Sequence, residues 1–242
     1  EIPKFSMLKN FIKEQMFENK NPIISVLGYP GVGKSLLIKR VVGEIGNEEN
    51  ILYIDMPLIG NEEFLKHLAK KITGKTPQKF SVTTLVDELN ETIKDSHIVI
   101  IVDEAQNYPE EQLEFFRMMS DRKVFKFVLI MHMLEKNSIV NKEHFKGRMW
   151  NFIEITPLSR LEMIEYIQKS FMLHGMFDIS SMFSDKNYNF MHKVTNGNIR
   201  KVNMLLYKIF DIAEFYYNNL PQKTVGNKGF QKIIEMSALD LR

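Results

Sequence analysis

An apolar run of strand length, Pro22–Leu27 (PIISVL), leads straight into Gly28-Tyr29-Pro30-Gly31-Val32-Gly33-Lys34-Ser35, and the helical stretch Ser35–Ile45 follows. The bend fits G-x-x-x-x-G-K-[ST], and a strand before it with a helix after it is the setting in which that pattern has meaning. Triphosphate oxygens need many donors close together, and glycines let backbone N–H groups converge that tightly. The start of the following helix adds the positive end of its dipole. Lys34 is placed to reach β- and γ-phosphates as a point charge, and the Ser35 hydroxyl to ligate Mg²⁺. With Leu36, these residues form the candidate nucleotide-binding run.

The rest of the first 157 residues repeats the alternation of strand and helix. Ile51–Asp55 reads as a second strand, His97–Val102 as a third, Lys126–Met131 as a fourth and Asn151–Ile155 as a fifth. Helical periodicity marks Phe64–Ile72, Val82–Ile93 and Glu110–Ser120. Strands that are apolar throughout and separated by helices imply a parallel sheet covered on both faces, an α/β three-layer fold. The pattern changes at Pro157. Only helical spacing follows, at Arg160–Leu173, Ser184–Val194, Ile199–Tyr217 and Phe230–Leu241, with Gly175, Gly197 and Pro221 as stops. The chain thus divides into an α/β domain over 1–157, with a lead-in helix over 1–20, and a small all-helical domain over 158–242. The 18 Phe and 15 Met fall mostly at core spacings and read as packing material.

The third strand ends in two carboxylates, Asp103 and Glu104. Open α/β sheets bind ligand at the carboxyl ends of their strands, so this pair is expected beside the glycine bend. Asp103 is suited to holding Mg²⁺ through water, and Glu104 to polarising the water that attacks a γ-phosphate. The bland alternative is that the pair caps the helix after Pro109.

Composition excludes several classes. Lys and Arg number 32 against 30 Asp and Glu, a formal charge of +2, too little for binding to nucleic acid by bulk charge alone. Lysines cluster at Lys66–Lys79 and Lys193–Lys201, where a few phosphate contacts to DNA remain open. There is no cysteine, so disulfides, thiolate nucleophiles and Cys-ligated zinc are ruled out. The histidines, at 67, 97, 132, 144, 174 and 192, show no metal-binding spacing. No apolar run approaches the ~20 residues of a membrane span.

Together the glycine bend, Val102-Asp103-Glu104-Ala105-Gln106 and the run LEFFRMMSD at Leu113–Asp121 resemble the AAA+ P-loop ATPases, and within them the branch of ExeA-type secretion and MuB/TniB-type transposition ATPases. The resemblance runs from about Asn21 to Leu220. It implies a five-strand sheet followed by a helical lid, with nucleotide between them. It also implies three further site residues. His132, after the fourth strand, stands where the family carries a polar sensor, although the run Met131-His132-Met133-Leu134-Glu135 departs from the usual pattern and a structural histidine is the alternative. Arg148 stands where the family has an arginine finger acting on a neighbouring subunit, with Arg160 as a substitute. Arg200, in Gly197-Asn198-Ile199-Arg200, matches the second sensor; a cation at a helix start calls for an anionic partner.

The function expected is a Mg²⁺-dependent ATPase, binding ATP and ADP, that assembles into a homo-oligomer and moves or assembles a protein partner of an envelope machine. Relatives of the secretion type continue into a membrane helix and a periplasmic part; neither is seen here, which implies a cytoplasmic form or a fragment. The alternative is a DNA-binding regulator switched by ATP, and a third reading is a nucleotide-binding scaffold with negligible turnover.

Overall fold

The computed structural model describes residues 2–18, 22–46, 50–74, 81–84, 97–135, 151–219 and 227–239. Numbered over those residues, the strands are β1 (Ile23–Gly28), β2 (Ile51–Ile54), β3 (Ile98–Val102), β4 (Phe125–His132) and β5 (Asn151–Ile155). The helices are α1 (Pro3–Phe17), α2 (Lys34–Ile45), α3 (Asn61–Thr73), α4 (Glu110–Ser120), α5 (Arg160–Leu173), α6 (Phe177–Ser180), α7 (Asp185–Thr195), α8 (Ile199–Asn219) and α9 (Asn227–Ser237). Of the helix expected over Val82–Ile93, only 82–84 lie among the described residues, and these are helical. Two compact units emerge: Leu8–Tyr29 with Lys34–Ile155, and Glu1–Met7 with Pro30–Gly33 and Thr156–Arg242.

The first unit holds the sheet. Its five strands lie in the order β2-β3-β4-β1-β5, and every pairing is parallel. The α/β expectation is therefore met. The strands are buried on both faces: Ile98, Ile100 and Val102 of β3 enter one core with α3 and α4, while Val99 and Ile101 are buried on the other side. Rings of Phe64, Phe116 and Phe127 form the centre of that core, with centroids 4.6 Å apart for Phe64–Phe116 and 5.0 Å for Phe116–Phe127. Such ring pairs add about 0.5–1.5 kcal/mol beyond the area they bury.

Several boundaries shift from the sequence reading. β2 ends at Ile54, one residue short of the expected Asp55, and the Ile54 carbonyl accepts from the Asp103 N–H at 2.9 Å. β4 runs on to His132, whose partner in β1 is Gly28. α3 begins at Asn61, after Gly60, and carries Glu62 and Glu63 in its first turn, where the helix dipole favours acids. α9 occupies Asn227–Ser237, earlier than the expected Phe230–Leu241.

β4 also carries a buried lysine. Lys126 is 3% exposed and donates to the Glu18 carbonyl. Burial pulls its pKa down from the ordinary 10.5 to about 8, against a smaller upward pull from the charge of Glu18. Between those values the unfolded chain holds a proton that the folded one has released, so this residue adds stability as pH rises. The gain is about 3 kcal/mol over the full interval. Denaturation of the wild type and Lys126→Met at stepped pH checks this. The wild type is expected to gain on the variant between pH 8 and 10.5, and parallel curves would contradict it.

Among its described residues the second unit carries α5 to α9 and closes on its own core, which includes Met163, Ile167, Met191, Val202, Leu205 and Ile209. Ser159 starts α5 and Ser184 starts α7, each with a reciprocal capping box. α7 ends at Asn196 in the left-handed region, and Gly197 follows with φ +67°. Gly197 accepts at 2.9 Å from the Leu158 N–H. A Cβ on Gly197 would lie 1.9 Å from the Leu158 carbonyl oxygen, which is backbone and cannot swing away. Gly197→Ala is therefore expected to cost about 2–4 kcal/mol, by left-handed strain and the lost hydrogen bond together. A melting curve indistinguishable from wild type would contradict this packing.

Candidate nucleotide site

Strand order brings the candidate residues of the sheet unit together. β4 lies between β1 and β3, so the carboxyl ends carrying Gly28, His132 and Asp103 share one edge of the sheet. Lys34 opens α2 and is 8% exposed. Its ammonium donates to the carbonyls of Gly28 at 3.0 Å and Tyr29 at 3.3 Å. Val32 is fully buried, whereas the side chains of Tyr29 and Leu36 are exposed. Gly31 and Gly33 have φ of +82° and +98°, the left-handed geometry that a tight backbone turn requires.

Asp103 is 7% exposed, and both of its oxygens are engaged. One accepts from the Tyr53 hydroxyl at 2.6 Å and the other from the Glu104 N–H at 2.9 Å. The Ser35 hydroxyl beside the Tyr53 phenol pulls its pKa slightly down, the weakest of the influences on it. Burial, then the hydrogen bond and charge of Asp103, hold the Tyr53 phenol well above its ordinary pKa, so it stays a protonated donor. One hydroxyl and one carboxylate within reach of a shared phenol are hard oxygen donors, a set that fits Mg²⁺ held with several waters.

Glu104 has φ 52°, in the left-handed region where a non-glycine residue is uncommon. Its carboxylate accepts from the Gln106 side-chain amide, and His132 Nε2 lies 3.3 Å from the same oxygen. Asp103 and Glu104 thus differ sharply, one locked and buried, the other partly exposed on a strained turn. The turn between β3 and α4 is a short 3-10 segment, Ala105–Asn107, and α4 starts at Glu110 after Pro109, which makes no side-chain cap. The reading of the acid pair as a simple helix cap therefore fails: Glu104 caps no N–H of α4.

Within the helical unit, the start of α8 meets the loop segment. The Asn198 side-chain amide donates to the Pro30 carbonyl at 2.7 Å, and the Arg200 N–H donates to the Gly31 carbonyl at 3.0 Å. A Cβ on Gly31 would lie 2.5 Å from Asn198 Oδ1 and 2.9 Å from the Arg200 Cβ. The Arg200 side chain is exposed. Arg160, the substitute for Arg148 as finger, donates to Asn189 and Asp185 at the surface. Arg148 lies outside the described residues.

Three residues of this site had no role in the sequence reading. Tyr53 is a phenol in an otherwise aliphatic strand. Gln106 stands inside the motif that carried the resemblance, and Asn198 stands inside the one quoted for Arg200. Their residue types were visible, but their partners depend on strand order and helix docking.

A parallel five-strand sheet with this order, a glycine loop ahead of α2 and acids at the end of β3 together form an α/β P-loop fold. Residues 18–136, just under half of the chain, match the family model described as an AAA domain. No curated protein matches the chain by sequence. Among solved structures, Cdc6p from Pyrobaculum aerophilum is similar over 88% of this chain and 61% of its own, with 16% identity and a TM-score of 0.63. The Drosophila ORC bound to DNA is similar over 98% of this chain and 60% of its own, at 12% identity and a TM-score of 0.62. The Walker-type ATPase of Pyrococcus abyssi covers 96% of this chain and 70% of its own, at 16% identity and a TM-score of 0.61. At such identities the likeness concerns the fold, and the chain spans only 61% and 60% of the first two structures. No helix among the described residues is long and apolar enough to cross a membrane.

Proposed function

We propose that this protein binds ATP with Mg²⁺ and hydrolyses it to ADP and phosphate, and that it does so in a homo-oligomer coupled to a partner. The observation that carries the reading is the sheet edge shared by Gly28, His132 and the acid pair Asp103 and Glu104, with Lys34 bonded to the Gly28 carbonyl. In this reading the backbone of Gly28–Ser35 cradles the phosphates and Lys34 turns from the Gly28 and Tyr29 carbonyls to the phosphate oxygens. Ser35 and Asp103 hold the divalent ion, which when bound supplies charge neutralisation on the phosphates. Glu104 orients the attacking water and takes up its proton, while His132 and Gln106 set the position of its carboxylate. Arg200 supplies an external charge to the phosphates, and Arg148 acts as a finger from a neighbouring copy. The parts are an ATPase domain over 1–157 and a helical lid over 158–242.

The motifs after β3 favour a secretion, pilus or DNA-uptake machine in the cytoplasm as the setting. The likeness to a structure solved on DNA makes duplex DNA the first alternative partner to test. One experiment covers both: phosphate release and particle size, with Mg²⁺ or EDTA, with and without duplex DNA. Turnover that needs Mg²⁺, in particles larger than one chain, is expected. Size and rate that respond to DNA, more weakly as salt rises, would move the reading to the DNA regulator. Absence of turnover under every condition would contradict the ATPase.

A further inference from the structure

Tyr53 occupies a place that the nucleotide-binding motifs do not assign. It is the third residue of β2, where Leu52 and Ile54 point into the core shared with α3 and α4. Strand alternation sends Tyr53 to the opposite face, and the Lys39 ammonium of α2 lies 5.3 Å from its ring centroid. The pairing of Tyr53 with Ile101, and of Ile54 with Val102, fixes how far the phenol stands from the end of β3. Its hydroxyl therefore donates to Asp103 at 2.6 Å, with the Ser35 hydroxyl beside it. One of the two proposed metal-holding residues, Asp103, is thus held by a phenol that belongs to neither motif.

We infer that Tyr53 is the positioning residue of the divalent-ion site: its hydroxyl fixes the carboxylate of Asp103, so that this group presents oxygen to the cation. The inference rests on the proposed function and names what tunes its metal step. A carboxylate is free to rotate about its last bond, and a hydrogen bond from a residue rooted in a separate strand removes that freedom before the ion arrives. Partners of this kind change metal affinity by about 10–100-fold when lost. Tyr53 differs from the ligands in touching neither ion nor phosphate, so its loss spares nucleotide binding that does not involve metal.

The test is binding of a fluorescent ATP analogue by wild type and Tyr53→Phe, first in EDTA and then at rising Mg²⁺. Phenylalanine keeps the ring under Lys39 and deletes only the hydroxyl. Equal affinity in EDTA, with a Mg²⁺ midpoint raised about 10–100-fold in the variant, is expected. An unchanged midpoint would make Tyr53 a packing residue, and a lowered one would make it a competitor of the ion; either overturns the inference. In an Asp103→Asn background the Tyr53→Phe shift is expected to vanish, and a persisting shift would show that Tyr53 does not act through Asp103. A wild type that binds the analogue in neither condition defeats the nucleotide-site reading itself. Wild-type binding with an unshifted variant defeats the inference about Tyr53 alone.

Discussion

Replacing Lys34 with alanine is expected to lower ATP affinity by about 10²–10³-fold, with the fold retained. The ammonium is nearly buried at the start of α2 and already sits among the oxygen atoms of the loop. Removing it deletes the one side-chain cation built into the bend Gly28–Ser35. Two carbonyls, of Gly28 and Tyr29, lose a donor as well, which costs about 1–2 kcal/mol of stability. Equilibrium titration with a fluorescent ATP analogue measures the affinity, and thermal melting separates it from unfolding. Tight binding by a folded Lys34→Ala protein would contradict the role given to the loop.

The second large effect falls on turnover. Glu104→Gln is expected to bind ATP as the wild type does and to release phosphate about 10²–10⁴-fold more slowly. The substitution is close to isosteric, so the left-handed turn at φ 52° and the contacts to Gln106 and His132 are disturbed little. What it removes is the carboxylate charge that orients water and accepts its proton. Asp103, buried and bonded to Tyr53 and the Glu104 N–H, is in no position to substitute. Single-turnover phosphate release, with nucleotide retention measured in parallel, separates chemistry from binding. Wild-type turnover in this variant would remove Glu104 as the base.

Much of the sheet was legible because its signals are local. An all-apolar run such as Ile98–Val102 can satisfy its side chains only in a doubly covered sheet, and the glycine bend announces the strand before it and the helix after it. Strand order was not legible in periodicity, since nothing in Lys126–Met131 states that β4 inserts between β1 and β3. That insertion is what sets His132 level with Gly28 and near Glu104. The sequence marked Arg200 by the motif Gly197–Arg200 and its charge at a helix start, whereas the contacts to the loop come from the Asn198 amide and the Arg200 backbone. Those depend on Gly197 turning the chain at φ +67°, which composition alone does not convey. Tyr53 escaped notice for the same reason. A phenol in β2 gains meaning only when the register with β3 brings it to Asp103.

The central claim is that Gly28–Ser35 and Asp103 together hold a triphosphate and its divalent ion. A crystal structure with a non-hydrolysable ATP analogue and Mn²⁺, read from the anomalous signal of the metal, tests this most directly. The account predicts phosphates wrapped by residues 28–35, with the ion bound by the Ser35 hydroxyl and Asp103 holding one of its waters. An analogue bound elsewhere, or a metal peak out of reach of Ser35 and Asp103, would contradict it.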